Sequence, residues 1–101
     1  MNKRQQLQLV KALSKVTSEG EKHNPETGKY EPATVMPTLY LDRDHANQVT
    51  LSAEDGHGFA DYYGEFRGGY PYIDPRIEEA AEKLGLYWEW ENAGCLNAYE
   101  A

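Results

Sequence analysis

The chain is poor in the features that would mark it for export, a membrane or a metal framework. Its 101 residues include a single cysteine, Cys95, so no intramolecular disulfide can form and a reducing, intracellular setting is expected. No window approaches the ~20 consecutive apolar residues of a membrane span. The start, MNKRQQLQLVKAL, carries basic residues but no apolar run long enough for a signal peptide. These absences lead to the expectation of one soluble, cytoplasmic domain over residues 1–101, with no membrane partner.

Positive charge is also scarce, with 10 Lys and Arg against 17 Asp and Glu, a net charge of −7. The deficit is one-sided. Residues 1–51 balance at +1, whereas residues 52–101 carry only Arg67, Arg76 and Lys83 against eleven acids, a balance of −8. Ten of the twelve aromatics also fall after residue 50, so acid and ring are concentrated together. Such a half repels nucleic-acid phosphate, which argues against direct nucleic-acid binding, and attracts a basic protein partner.

Local patterns give an α+β fold. Leu9, Leu13 and Val16, widened by Leu7, Val10 and Ala12, place an amphipathic helix over residues 3–17. Residues 17–34 are polar and broken by Asn24-Pro25 and Thr27-Gly28, and read as a mobile loop or a partly ordered hairpin. TVMPTLYL and QVTLSA alternate as two strands of a hairpin turning at DRDHAN, and FADYYGEF offers a weaker third strand. Asp74 as N-cap, Pro75 at the first helical position and the face Ile77, Ala80, Ala81, Leu84 define a second helix near 75–84 that stops at Gly85. Beyond it the period becomes two. Leu86, Trp88 and Trp90 face the core, Tyr87, Glu89 and Glu91 face away, and Asn92-Ala93-Gly94 turns into CLNAY as a C-terminal hairpin with its glycine at positive φ. The sum is a single small α+β domain with an N-terminal helix and an antiparallel or mixed sheet of about four to five short strands.

Chemical motifs are weak. Asp42, Asp44 and His45 could hold a transition ion, but they lack an EF-hand's closing glutamate and spacing and are explained by a charged turn. His57, between Gly56 and Gly58 and beside Asp55, could approach a ligand, yet a turn needs the same glycines. Glu78 with Glu82, and Glu89 with Glu91, are paired carboxylates, but a glycosidase needs a deep cleft that this chain can hardly build. Gly64, Gly68 and Gly69 lack the Gly-Lys-Ser/Thr of a phosphate loop, and Cys95 reads as core filling. No catalytic residue, metal or cofactor is assigned on this basis.

The segment YYGEFRGGYPY, residues 62–72, holds five rings, Phe66 among them, more than a small core with two tryptophans can take. Tyrosine suits an exposed position because it joins a large apolar area to a polar tip, and beside carboxylates it suits an Arg- and Lys-rich partner. The expected partner-binding set is Tyr62, Tyr63, Glu65, Tyr70, Tyr72, Glu78, Glu79, Glu82, Glu89 and Glu91. The expected function is an acidic interaction module that binds a basic protein surface. In its sharper form it is a nucleic-acid mimic inhibiting a nuclease or defence complex, of the kind phages and mobile elements carry. The alternatives are a small ligand-binding or metal-dependent enzyme domain built on His57, Asp55 and Gly68-Gly69, or a homo-oligomeric structural protein in which the tyrosines form a homodimer interface.

Overall fold

A computed structural model describes residues 1–41, 48–63 and 71–101. The first helix, α1 (Lys3–Leu13), starts from a capping box: the Asn2 side chain accepts from the Gln5 amide at 2.8 Å while the Gln5 side chain accepts from the Asn2 amide at 3.0 Å. The box satisfies orphan donors at a first turn whose cations alone would leave it prone to fray. Leu9 and Leu13 are fully buried, and Val16 follows them into the core from the turn beyond the helix. Leu7 instead turns outward and is 58% exposed, so the apolar stripe is narrower than expected.

Of the two readings of residues 17–34, the hairpin is the one built. Strands β1 (Ser18–Asn24) and β2 (Lys29–Val35) pair antiparallel over their whole length, from Ser18 opposite Val35 to Asn24 opposite Lys29. The turn between them is set by the Asn24 side chain accepting from the Glu26 amide at 2.9 Å. Most of the arm is exposed, and its anchor is Val35, buried at the base.

The central sheet contains β3 (Leu39–Leu41), β4 (Val49–Ser52), β7 (Leu86–Asn92) and β8 (Cys95–Glu100), in the antiparallel order β3-β4-β8-β7. Its inner face carries Val49, Leu51, Leu86, Leu96 and Ala98, which pack with Leu9 and Leu13 of α1 and with Ile77 and Ala81 of the second helix. Leu41, at the end of its strand, is 55% exposed despite the expected alternation. Of the weak third strand, the described residues form a two-residue bridge, β5 (Ala60–Asp61) with β6 (Tyr72–Ile73), and its remainder from residue 64 lies outside them. The DRDHAN turn lies outside the described residues.

Helix α2 (Pro75–Glu82) is capped as its sequence dictates: the Asp74 carboxylate accepts from the Arg76 amide at 2.9 Å and pairs with the Arg76 guanidinium at 2.9 Å. That hydrogen bond and charge hold the guanidinium more firmly protonated than usual. Gly85 ends the turn at φ +71°, a conformation that suits glycine. Asp74→Ala is expected to cost about 1–2 kcal/mol of stability, while Asp74→Asn, which keeps the acceptor, should cost less than half as much. Urea unfolding followed by circular dichroism measures both, and equal losses would assign the effect to the ion pair instead of the cap.

The C-terminal hairpin differs from expectation at its turn. Asn92 pairs with Cys95, leaving two connecting residues, and an irregularity falls between Trp90 and Asn92. Gly94 is not at positive φ. Its missing side chain leaves room for the Glu54 carboxylate, which would lie 2.8 Å from an added Cβ.

Candidate functional site

Both helices contribute to the core on the inner face, so among the described residues neither helix covers the outer face of the sheet. Residue alternation decides what it shows. Opposite the inward face of buried Leu86 and half-buried Trp88 and Trp90 stand Tyr87, Glu89 and Glu91, and the register of the hairpin sets Tyr99 beside Tyr87 and Asn97 beside Glu89. The pairing of β8 with β4 places Thr50 next to Asn97, and that of β4 with β3 places Tyr40 next to Thr50. One row across the sheet therefore reads Glu89, Asn97, Thr50, Tyr40.

Asn97 organises this face. It is buried although it points outward, because neighbouring side chains close over it. Its amide oxygen accepts from the Thr50 hydroxyl at 2.6 Å, and its amide nitrogen donates to Glu91 at 3.2 Å and lies 3.5 Å from the Tyr99 hydroxyl. The Cys95 thiol also donates to Glu91, at 3.4 Å. Burial and then the Glu91 carboxylate push the Cys95 thiol up, so at neutral pH it is a protonated hydrogen-bond donor rather than a thiolate nucleophile. Tyr40, Tyr87 and Tyr99 stand around this network 57%, 44% and 40% exposed. The rings of Tyr87 and Tyr99 are 6.0 Å apart.

The expected site residues divide between places. Glu89 and Glu91 lie on the outer face. Glu78 and Glu82 line a groove of about 160 Å³ with Ile73, Tyr87 and Trp88. Glu79 turns elsewhere and pairs with Lys83 at 3.1 Å. Tyr72 is half-buried in β6. Tyr62 is half-buried edge-on against Trp90, with ring centroids 5.2 Å apart, whereas Tyr63 is 63% exposed. Glu65, Phe66, Tyr70 and the Gly68-Gly69 bend lie outside the described residues, as do Asp42, Asp44 and His45. Among the described residues no group of three or more His, Cys, Asp or Glu is placed to hold a metal. No helix among them is long and apolar enough to cross a membrane.

Tyr40, Tyr87, Tyr99 and Asn97 were not among the residues expected. The alternation of residues 86–91 already put Tyr87 on the face of Glu89. Tyr99 needed the register of the last hairpin, and Tyr40 and Asn97 needed the join between distant strands.

A second feature is a cavity of about 470 Å³ bordered by Glu54, His57, Asp61, Tyr62 and Tyr63. His57 is held at one nitrogen: Nδ1 lies 3.2 Å from the Met36 carbonyl and 3.3 Å from the Asp55 carboxylate. Both neighbours are acceptors, which places a proton on Nδ1. Asp55 is itself tied down, accepting from the amides of His57 at 2.9 Å and Thr38 at 3.3 Å.

Fold and surface together define a two-layer α+β domain with an open, acidic and tyrosine-bearing sheet face. No family model matches the chain, and no curated protein or solved structure is significantly similar to it.

Proposed function

We propose that this protein is an interaction module whose outer sheet face docks on a basic surface of another protein. The observation that supports it is the exposure of Tyr40, Tyr87 and Tyr99 beside Glu89 and Glu91 on a face opposite both helices. Rings with polar tips supply contact area at small entropic cost, and the carboxylates select guanidinium and ammonium groups through charge pairing and cation–π contact. Asn97 fixes the platform beneath them, so little ordering is needed on binding. In its sharper form the module is a nucleic-acid mimic, occupying the phosphate-binding groove of a nuclease or defence complex.

The test is affinity capture with the protein and with a Glu89→Lys/Tyr99→Ala variant, washed across ionic strength. The expected result is a basic protein retained by the natural face, lost from the variant, and released between about 0.1 and 0.5 M salt. Displacement of that protein by DNA or RNA would establish the mimic. Equal capture by the variant would overturn the reading. The held Asp55–His57 pair at the 470 Å³ cavity favours a second one, a small-ligand site. Binding that survives the face variant and disappears with His57→Ala would transfer the function there.

A further inference from the structure

The edge of β7, unpaired among the described residues, carries more than charge. Among the described residues β7 is the outermost strand of the sheet; its regular part, Leu86 to Trp90, contains neither proline nor lysine, two of the devices that blunt an edge, and the irregularity before Asn92 falls at its far end. The opposite edge, β3, is only three residues long. Tyr87 and Trp88 project to opposite faces of β7, yet both line the groove of about 160 Å³ with Ile73, Glu78 and Glu82. A groove that touches consecutive residues of one strand wraps that strand's edge, and β8 already occupies the other edge. Glu78 and Glu82, one helical turn apart on α2, form its far wall.

We infer that this edge is a strand-addition site, which accepts an extended, lysine- or arginine-rich segment of the partner protein as a fifth strand beside β7. The inference rests on the acidic-face reading and names the form the partner takes. Every second residue of an edge strand turns its amide and carbonyl outward, so the backbone of an added strand supplies affinity without regard to sequence. Its side chains then supply selection. One alternate set lies over the outer face beside Glu89 and Glu91, about 6.7 Å apart along the strand. The other set covers Trp88 and Ile73, within reach of Glu78 and Glu82. A second copy of this chain is disfavoured as occupant. Antiparallel pairing of β7 with itself over its whole length, Leu86 opposite Asn92, sets Glu89 against Glu89 of the other copy, and like charges directly opposite destabilise a pair.

The experiment uses the full chain and a labelled heptapeptide alternating lysine and valine, followed by fluorescence anisotropy. A second peptide has the same sequence with alternate backbone nitrogens methylated, which keeps every charge but blocks strand pairing. The expected result is binding of the first peptide, weakened about tenfold or more by methylation. Glu82→Lys with Glu89→Lys should weaken it to a similar degree. Both positions are exposed, so the variant folds. Amide hydrogen exchange should show new protection within residues 86–92 on binding. Equal binding of the two peptides, or protection confined to other strands, would overturn strand addition and leave the acidic face intact as a docking surface. Failure of the capture experiment above would remove both.

Discussion

Phe59→Ala is expected to cost about 3–5 kcal/mol, the range for deleting a buried aromatic ring and leaving a cavity. Against a domain stability of about 5–15 kcal/mol this is a large fraction, and the melting temperature should fall by roughly 15–30 °C. Phe59 earns this role by position. It is 2% exposed, its ring meets the His57 imidazole edge-on, and its carbonyl accepts from the Asp74 amide at 2.8 Å. One residue thus ties the cavity loop, the short β5–β6 bridge and the cap of α2 to the core. Phe59→Leu refills most of the space and should cost no more than about 1.5 kcal/mol. Leu7→Ala, on the exposed side of α1, should stay within about 0.5 kcal/mol and serves as the control. A Phe59→Ala variant as stable as the Leu7→Ala control would show that the ring is not a core anchor.

The second large effect belongs to Asn97. Asn97→Ala removes the acceptor of Thr50 and the donor to Glu91 from a position 4% exposed, with an expected cost of about 1–3 kcal/mol. Asn97→Asp should be at least as harmful at neutral pH, because it sets a second carboxylate beside Glu91. The sign of its pH dependence follows. Two adjacent carboxylates resist joint ionisation in the fold, so a folded-state pKa rises above its unfolded value. The unfolded state then releases protons first, and stability is lost as pH rises through the carboxylate range and regained as pH falls. Urea midpoints measured from pH 4 to pH 7 should therefore converge on those of Asn97→Ala or better at the acidic end. A parallel offset at every pH would mean that the network is not electrostatically coupled.

What the chain reveals in advance divides along the range of the interactions. Helix α2 is fully legible because its cap, its proline, its apolar face and its terminal glycine agree within twelve residues, Asp74 to Gly85. The alternation Leu86, Trp88, Trp90 is equally local, and the Trp88 indole donating to the Ile77 carbonyl at 3.0 Å shows it packing on α2 as expected. Asn2 is not legible as a cap because a capping box needs a reciprocal glutamine, and Gln5 lies in a run of polar residues that hides it. The β1–β2 arm was ambiguous because its strands bury almost nothing; without a hydrophobic face, alternation leaves no trace in the sequence. The docking face was half legible. Glu89, Glu91 and Tyr87 share one strand, while Asn97, Thr50 and Tyr40 come together only through the order of strands in the sheet.

That strand order also bears on how the chain reaches its native state. β3 with β4 and β7 with β8 are local hairpins, each closed by a short connection, and such pairs form on the microsecond scale. The seam between β4 and β8, with Leu51 opposite Leu96, joins residues from opposite halves of the chain. Its closure carries most of the loop entropy of the sheet and returns nothing until the buried leucines meet. Folding is therefore expected to wait on this one zipper, with Leu51 and Leu96 in the nucleus. The row Glu89, Asn97, Thr50, Tyr40 spans the seam, so the docking face comes into being only once that slow step is complete.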